Sequence, residues 1–130
     1  MIKDGVIADT STLIDFLKNN EPCAAVIETL IKEKRLLTTG IIMAELLQGI
    51  KTITEENSVA ELLEGIPVVE IDSVIWLKAG RISCALRRNG ITLPLTDVAI
   101  AALCINHNLS IFTLDKHFQQ IPGLKLFRIS

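Results

Sequence analysis

Four acidic residues of the 130-residue chain interrupt or border apolar segments, and they are Asp9, Glu45, Asp97 and Asp115. Burying a carboxylate without compensation is costly, and several carboxylates in one place repel each other unless a cation neutralises them. All-oxygen ligands suit hard ions such as Mg²⁺ or Mn²⁺. Such an ion lowers the pKa of a bound water and stabilises a leaving oxygen in phosphodiester hydrolysis. The residue types therefore predict a metal site able to hydrolyse phosphodiesters.

Each carboxylate also has an ordinary structural explanation. Asp9 could cap a helix that begins near Ser11, and Asp97 could complement the dipole of a helix from its first turn. Asp115 could be a turn residue, and Glu45 could face solvent on its helix. Single residues leave both interpretations open, and the combination of the four favours the metal site.

Polar residues beside the acids extend the prediction. Thr10, Ser11 and Thr113 could hydrogen-bond a carboxylate, a metal-bound water or a phosphate oxygen, or they could stabilise turns and helix caps. Four basic residues could guide a phosphodiester backbone toward the site, although charged helix faces are usually only solvated; they are Arg81, Arg87, Arg88 and Lys116. The two histidines, His107 and His117, give no Ser-His-Asp arrangement.

The elements that must position these residues alternate between helix and strand. Apolar runs predict strands at residues 6–8, 36–37, 67–71, 111–113 and, as an edge strand, 124–127. Helical spacing of apolar residues separates them, and the uninterrupted apolar run 98–105 predicts a central helix buried on more than one side. The alternation predicts a three-layer α/β/α sandwich with a mainly parallel sheet of four to five strands.

The order of the elements also predicts where the acids meet. Ligands in open parallel sheets bind outside the carboxyl ends of the strands. Asp9 and Asp115 both come just after a predicted strand, so we expect them at the same edge of the sheet.

Length and composition predict one domain spanning residues 1–130, with 49% hydrophobic and 22% charged residues and a mean hydropathy of +0.44. No apolar run is long enough to span a membrane and no secretory signal is evident, which predicts a cytoplasmic protein. Cys23, Cys84 and Cys104 are expected to be buried free thiols. Trp76 is expected in the core or at a dimer contact.

The net charge of −2 does not decide whether the partner is a nucleic acid. With four of the 15 acidic side chains set aside for a metal site, 11 remain against 13 basic ones, so the rest of the surface is weakly positive.

Five motifs occur in an order that resembles PIN-domain nucleases, and most of all the VapC-type toxins. They are DTS at 9–11, MAELLQG at 43–49, TDVAIAA at 96–102, TLD at 113–115 and FQQIPGL at 118–124. The likeness covers essentially the whole chain. It implies a PIN-like fold and an Mg²⁺- or Mn²⁺-dependent endoribonuclease, the toxin of a type II toxin–antitoxin pair. It also implies a homodimer and inhibition by a small antitoxin protein.

The resemblance implies specific site residues as well. Asp9, Glu45 and Asp97 match the firmest acidic positions of the family. Many relatives carry Asn at the position of Asp115 or supply an acid a few residues later. No such later acid follows His117 here, which makes Asp115 the natural fourth member.

Two other functions remain open. A phosphatase or phosphotransfer domain could use an aspartate after the first strand as a nucleophile. Ser11 stands where the dehalogenase-like phosphatase pattern needs a second Asp, and a receiver domain could use only Asp72 after a third strand. A non-catalytic PIN-like binding module is the second alternative, and the presence of all four acids argues against it.

An antitoxin is expected to dock on apolar helix surfaces between Leu13 and Leu63 and to reach toward the acids.

Overall fold

A computed structural model describes residues 3–129, in which four short parallel strands form one sheet and six α-helices pack around it. This confirms the predicted α/β/α fold with a four- to five-stranded parallel sheet. The strands are β1 (Val6–Ala8), β2 (Leu36–Leu37), β3 (Ser110–Phe112) and β4 (Lys125–Leu126). The helices are α1 (Thr10–Leu17), α2 (Cys23–Lys32), α3 (Gly40–Gln48), α4 (Ile53–Glu64), α5 (Ser73–Arg88) and α6 (Leu95–His107), with a short 3-10 helix at Lys116–Gln120.

The sheet has the strand order β2-β1-β3-β4. Ile7 of β1 pairs with Leu37 of β2 on one side, and Ala8 pairs with Phe112 of β3 on the other. All three pairs of neighbouring strands are parallel, so their carboxyl ends share one edge. The residues that follow β1 and β3 therefore lie at the same edge of the sheet, as the sequence predicts for Asp9 and Asp115.

The strand predicted at residues 67–71 does not form. Thr38 and Val68 make only an isolated parallel bridge, in which the Thr38 N–H donates to the Pro67 carbonyl at 3.0 Å and the Val69 N–H donates to the Thr38 carbonyl at 2.8 Å. Pro67 has no N–H to contribute to a ladder. The side chain of Asp72 caps the start of α5 and ends the extended segment. Apolar residues alone were an insufficient signal for a strand here.

The helices α5 and α6 separate buried from exposed faces in different ways. Every residue from Val98 to Cys104 is buried, which confirms α6 as the central helix. In α5 the buried stripe is Ile75, Ala79 and Leu86. Cys84 lies off this stripe and is exposed, so the prediction that it is buried is wrong, whereas Cys23 and Cys104 are buried free thiols as predicted.

Several large apolar side chains of α5 also face solvent. Trp76 is 43% exposed, and Val74 and Leu77 are more exposed still. A core position for Trp76 is therefore wrong, and a dimer contact stays a prediction. Within residues 3–129, no helix has the length and apolar character to cross a membrane.

Candidate active site

Asp9 stands at the junction of β1 and α1. Its N–H donates to the carbonyl of Phe112 at 3.0 Å, which holds it against the end of β3, and its extended backbone makes it the N-cap of α1. Its carboxylate accepts hydrogen bonds from the Thr12 N–H at 3.2 Å, from the Ser11 hydroxyl at 2.6 Å and from the Thr113 hydroxyl. The residue is only 8% exposed, so these donors replace the water that an ionised carboxylate would otherwise hold.

The distribution of these donors leaves one oxygen of Asp9 less occupied than the other. Ser11 and Thr12 both donate to Oδ1, and Thr113 donates to Oδ2. Because each carboxylate oxygen offers about two acceptor positions, Oδ2 keeps one for a further partner. Capping the helix therefore does not exhaust the carboxylate of Asp9.

Thr113 connects Asp9 to the second acid of this edge. Its hydroxyl donates to Asp9 and accepts from the N–H of Asp115 at 2.9 Å. The Asp115 carboxylate caps the 3-10 helix through the His117 N–H at 2.9 Å and lies 3.1 Å from Nδ1 of the same imidazole. The end of β3 thus holds Asp115 in a fixed position relative to Asp9.

Glu45 lies on α3 and reaches the site from a different direction. Its neighbours Ile42 and Leu46 are buried, whereas the Glu45 side chain is exposed. The carboxylate accepts a hydrogen bond from the Thr10 hydroxyl at 3.0 Å. Apolar neighbours in the sequence therefore did not mean a buried carboxylate, because α3 turns Glu45 away from the core and toward the start of α1.

Asp97 lies in the first turn of α6, and the charges of the other three acids act on its carboxyl group. Burial raises the pKa of its carboxyl above the usual value, and the negative charges of Asp115, Glu45 and Asp9 raise this pKa further. The imidazole of His117 acts on the same pKa in the opposite direction. All four predicted carboxylates are therefore close enough to interact electrostatically.

The side chains do not converge on a single point. Across residues 3–129, no three His, Cys, Asp or Glu side chains are arranged so that they could hold a metal ion together. The chemistry of the donor set nevertheless fits a hard divalent cation, because the acids supply only oxygen ligands and their mutual repulsion is relieved by positive charge. Sharing an ion would require some of these side chains to turn toward each other.

The four acids also have the ordinary structural roles that the sequence suggested, as helix caps, a first-turn acid and a solvent-facing side chain. Asp9 and Asp115 are helix caps, Asp97 is a first-turn acid and Glu45 faces solvent. None of these contacts removes the electrostatic interaction among the acids. The predicted hydroxyls lie here too: Thr10 donates to Glu45, and Ser11 and Thr113 donate to Asp9.

Sequence reasoning missed two residues of this site. Thr12 is fully buried, and its hydroxyl lies 3.0 Å from the Asp9 carbonyl and 3.3 Å from that of Phe112. The signal was its position three residues after a helix-capping Asp. His117 contacts Asp115, a pairing indicated by their separation of two residues within one turn.

The four basic residues predicted to guide the substrate backbone are all exposed; they are Arg81, Arg87, Arg88 and Lys116.

The chain is similar to known proteins over most of its length. The family model described as "PIN domain" matches residues 6–124. Ribonuclease VapC1 of Methanocaldococcus jannaschii is 28% identical over 125 residues, which cover 94% of this chain and 86% of that protein.

Solved structures resemble the fold over nearly its full length. VapBC2 from Rickettsia felis, bound to a DNA fragment from its promoter, aligns with a TM-score of 0.82 and 19% identity, covering 96% of this chain and 98% of that one. DNA-bound VapBC from Salmonella typhimurium gives 0.79 and 24% identity, with coverage of 95% and 96%. A toxin–antitoxin complex from Klebsiella pneumoniae gives 0.73 and 25% identity, with coverage of 96% and 100%.

Proposed function

Because the chain belongs to the PIN domain family, we propose that it is a metal-dependent endoribonuclease, the toxin of a type II toxin–antitoxin pair. The observation that carries this proposal is the placement of Asp9 and Asp115 at one edge of the sheet, where the Thr113 hydroxyl joins them. Thr10 holds Glu45 at the start of the neighbouring helix α1, and the negative charges of these three acids raise the pKa of Asp97. The likeness to a protein named a ribonuclease supports the choice of substrate. Such an enzyme would act in the cytoplasm.

The four carboxylates are the groups that would hold Mg²⁺ or Mn²⁺. Oδ2 of Asp9 keeps an acceptor position, Glu45 is exposed, and the carboxyls of Asp97 and Asp115 are only partly buried. When bound, the divalent ion supplies a water of lowered pKa and stabilises the negative charge that develops on the phosphate. The donor set is all oxygen, which favours these ions over zinc.

The remaining residues of the site orient the acids. Ser11, Thr12 and Thr113 donate to Asp9 and fix the direction of its carboxylate, and the Asp115 N–H holds the Thr113 hydroxyl in turn. Partners of this kind, which hold a ligand in place, typically change metal affinity or activity by about 10- to 100-fold when they are removed. Thr10 does the same for Glu45.

An apolar groove beside Glu45 supports an antitoxin partner. A cavity of about 420 Å³ lies between α1, α3 and α4, and its lining includes Ile14, Leu17, Leu46 and Val59 together with Glu45. An apolar segment of a small protein could fill the groove, and a basic residue on it could reach Glu45. Several structural neighbours are described as VapBC or toxin–antitoxin complexes. We propose this groove as the antitoxin site.

A homodimer is part of the same proposal. The exposed apolar residues Val74, Trp76 and Leu77 on α5 give a surface that a second copy could cover. Sedimentation of the purified chain tests this, and a monomer at micromolar concentration would contradict it.

RNA cleavage tests the proposed activity. We expect the purified chain to cleave single-stranded RNA with Mg²⁺ or Mn²⁺ and to lose this activity with a chelator. Asp9→Asn and Asp97→Asn should abolish cleavage, whereas Glu61→Gln on the exposed surface of α4 should not. Full activity with chelator or in either site variant would overturn the metal-dependent mechanism. Hydrolysis of a phosphomonoester without RNA cleavage would favour a phosphatase instead.

A further inference from the structure

The C-terminal half of α5 borders an open cationic groove that the acidic site does not include. Its volume is about 560 Å³, and we call it the α5 groove; its lining residues are Gly80, Ser83, Cys84, Arg87, Arg88 and Leu95. No acidic residue lines it, and α5 itself contains no Asp or Glu. The groove is therefore positively charged in a chain whose net charge is −2.

The two arginines of the α5 groove are available for a ligand. Both are exposed, and neither takes part in an ion pair within residues 3–129. A guanidinium presents a planar fork of N–H donors that matches a phosphate group with two parallel hydrogen bonds. Arg87 and Arg88 are neighbours, so they offer two such forks at one end of the groove. Both lie in the last turn of α5, where the helix dipole favours positive charge, and their guanidinium groups are exposed to solvent.

The α5 groove reaches the N-terminal turn of α6, the helix that carries Asp97. Leu95, which lines the groove, is the first residue of α6, and Asp97 follows in the first turn of the same helix. A cluster of four carboxylates repels a polyanion, so the substrate backbone must be held by positive charge outside the cluster. Arg87 and Arg88 are the cationic side chains that share a cavity with the start of α6.

From this placement we propose that the α5 groove binds the phosphate backbone of single-stranded RNA and leads it to the acidic site. The proposal rests on the proposed ribonuclease function and adds to it a binding surface and two positioning residues, Arg87 and Arg88. Gly80, Ser83 and Cys84 line the groove with small side chains, so the space beside α5 is not filled by the protein itself. Binding through phosphates predicts little dependence on base sequence.

Salt-dependent binding separates this proposal from the cleavage reaction. A fluorescent single-stranded oligoribonucleotide is titrated with the full chain in EDTA, with intactness of the RNA checked on a gel. For single strands, each phosphate contact contributes about 0.7 to the slope of log affinity against log salt. We expect Arg87→Gln/Arg88→Gln to weaken binding and to reduce that slope by about 1.4. Lys34→Gln/Lys125→Gln removes the same charge from exposed positions outside the groove, where neither lysine forms an ion pair within residues 3–129, and should change the slope much less.

Cys84 gives a second readout that needs no variant. It is the one exposed cysteine of the three and lies in the α5 groove. We expect N-ethylmaleimide to alkylate Cys84 readily in the free protein and several-fold more slowly with saturating RNA. Peptide mass analysis locates the modified residue.

The outcomes distinguish the two proposals. RNA binding with an equal salt slope in the arginine variant and the control, or unchanged Cys84 alkylation with RNA, overturns the α5 groove and leaves the nuclease proposal standing. A Cys84 that is unreactive in the free protein means that a second copy covers the groove, which also overturns it. Normal RNA binding and Cys84 protection without metal-dependent cleavage would support the groove and contradict the nuclease.

Discussion

Thr113→Val removes the hydroxyl that joins Asp9 to Asp115. Thr113 donates to Asp9 Oδ2 and accepts from the Asp115 N–H, so valine, which has nearly the same shape, abolishes one hydrogen bond to a charged group and one between neutral groups. A hydrogen bond to a charged group contributes about 1.5–3 kcal/mol to stability and a neutral one about 0.5–1.5 kcal/mol. Because the site is partly open to water, the lower ends of these ranges apply, and we expect a loss of about 2 kcal/mol.

The assay is chemical or thermal unfolding in EDTA, which removes metal binding from the comparison. For a domain of this size, 2 kcal/mol corresponds to a Tm lowered by about 8 °C. Thr113→Ser keeps the hydroxyl and should lose only about 0.5 kcal/mol for a half-buried methyl group. Thr29→Val is a matched control on the exposed face of α2, where the hydroxyl makes only a local bond to Ala25.

Cleavage by the same variants gives a second comparison. We expect Thr113→Val to lower cleavage about 10- to 100-fold, because it frees the two acids that the hydroxyl aligns. Thr113→Ser should remain close to wild type. If Thr113→Val is as stable and as active as Thr113→Ser, the role assigned to this hydroxyl is wrong.

Three further predictions concern the charges and thiols. Folding raises the pKa of Asp97 above its unfolded value near 3.8, so the ionised carboxylate destabilises the fold increasingly as the pH rises above that value. In EDTA, the Tm of Asp97→Asn should therefore exceed that of wild type by a margin that grows from pH 4 to pH 7. A margin that does not change with pH contradicts this. Mn²⁺ at 100 times its Kd should stabilise wild type by about 2.7 kcal/mol but Asp9→Asn much less, and equal Tm shifts would oppose the site. Native alkylation should modify Cys84 and spare Cys104, whose pKa burial raises to about 12; rapid loss of all three thiols would contradict the buried positions.

The sequence predicted much of the fold because its signals were local and consistent. Short apolar runs that ended just before Asp9 and Asp115 marked the carboxyl ends of strands, and parallel pairing brings those ends to one edge. The long apolar run of α6 marked the central helix, because few other positions can bury so many consecutive residues.

Other features depended on contacts that no local pattern records. Residues 67–71 have a strand-like composition, but Pro67 and the cap at Asp72 limit pairing to one bridge. Cys84 and Glu45 have apolar neighbours in sequence, yet the helical rotation turns both to solvent. The hydrogen bond from Thr113 to Asp9 joins residues 104 positions apart, so only the folded sheet fixes which acid that hydroxyl contacts.

The proposed function requires the four acids to hold a catalytic divalent ion, and a crystal structure of the chain with Mn²⁺ would show whether they do. We expect an anomalous density peak bound by Asp9 Oδ2 and by carboxylate oxygens of Glu45, Asp97 and Asp115, with water completing the coordination. The same crystals of Asp97→Asn should show a much weaker peak. Well-ordered carboxylates with no Mn²⁺ peak among them at millimolar Mn²⁺ would contradict a metal site shared by these acids.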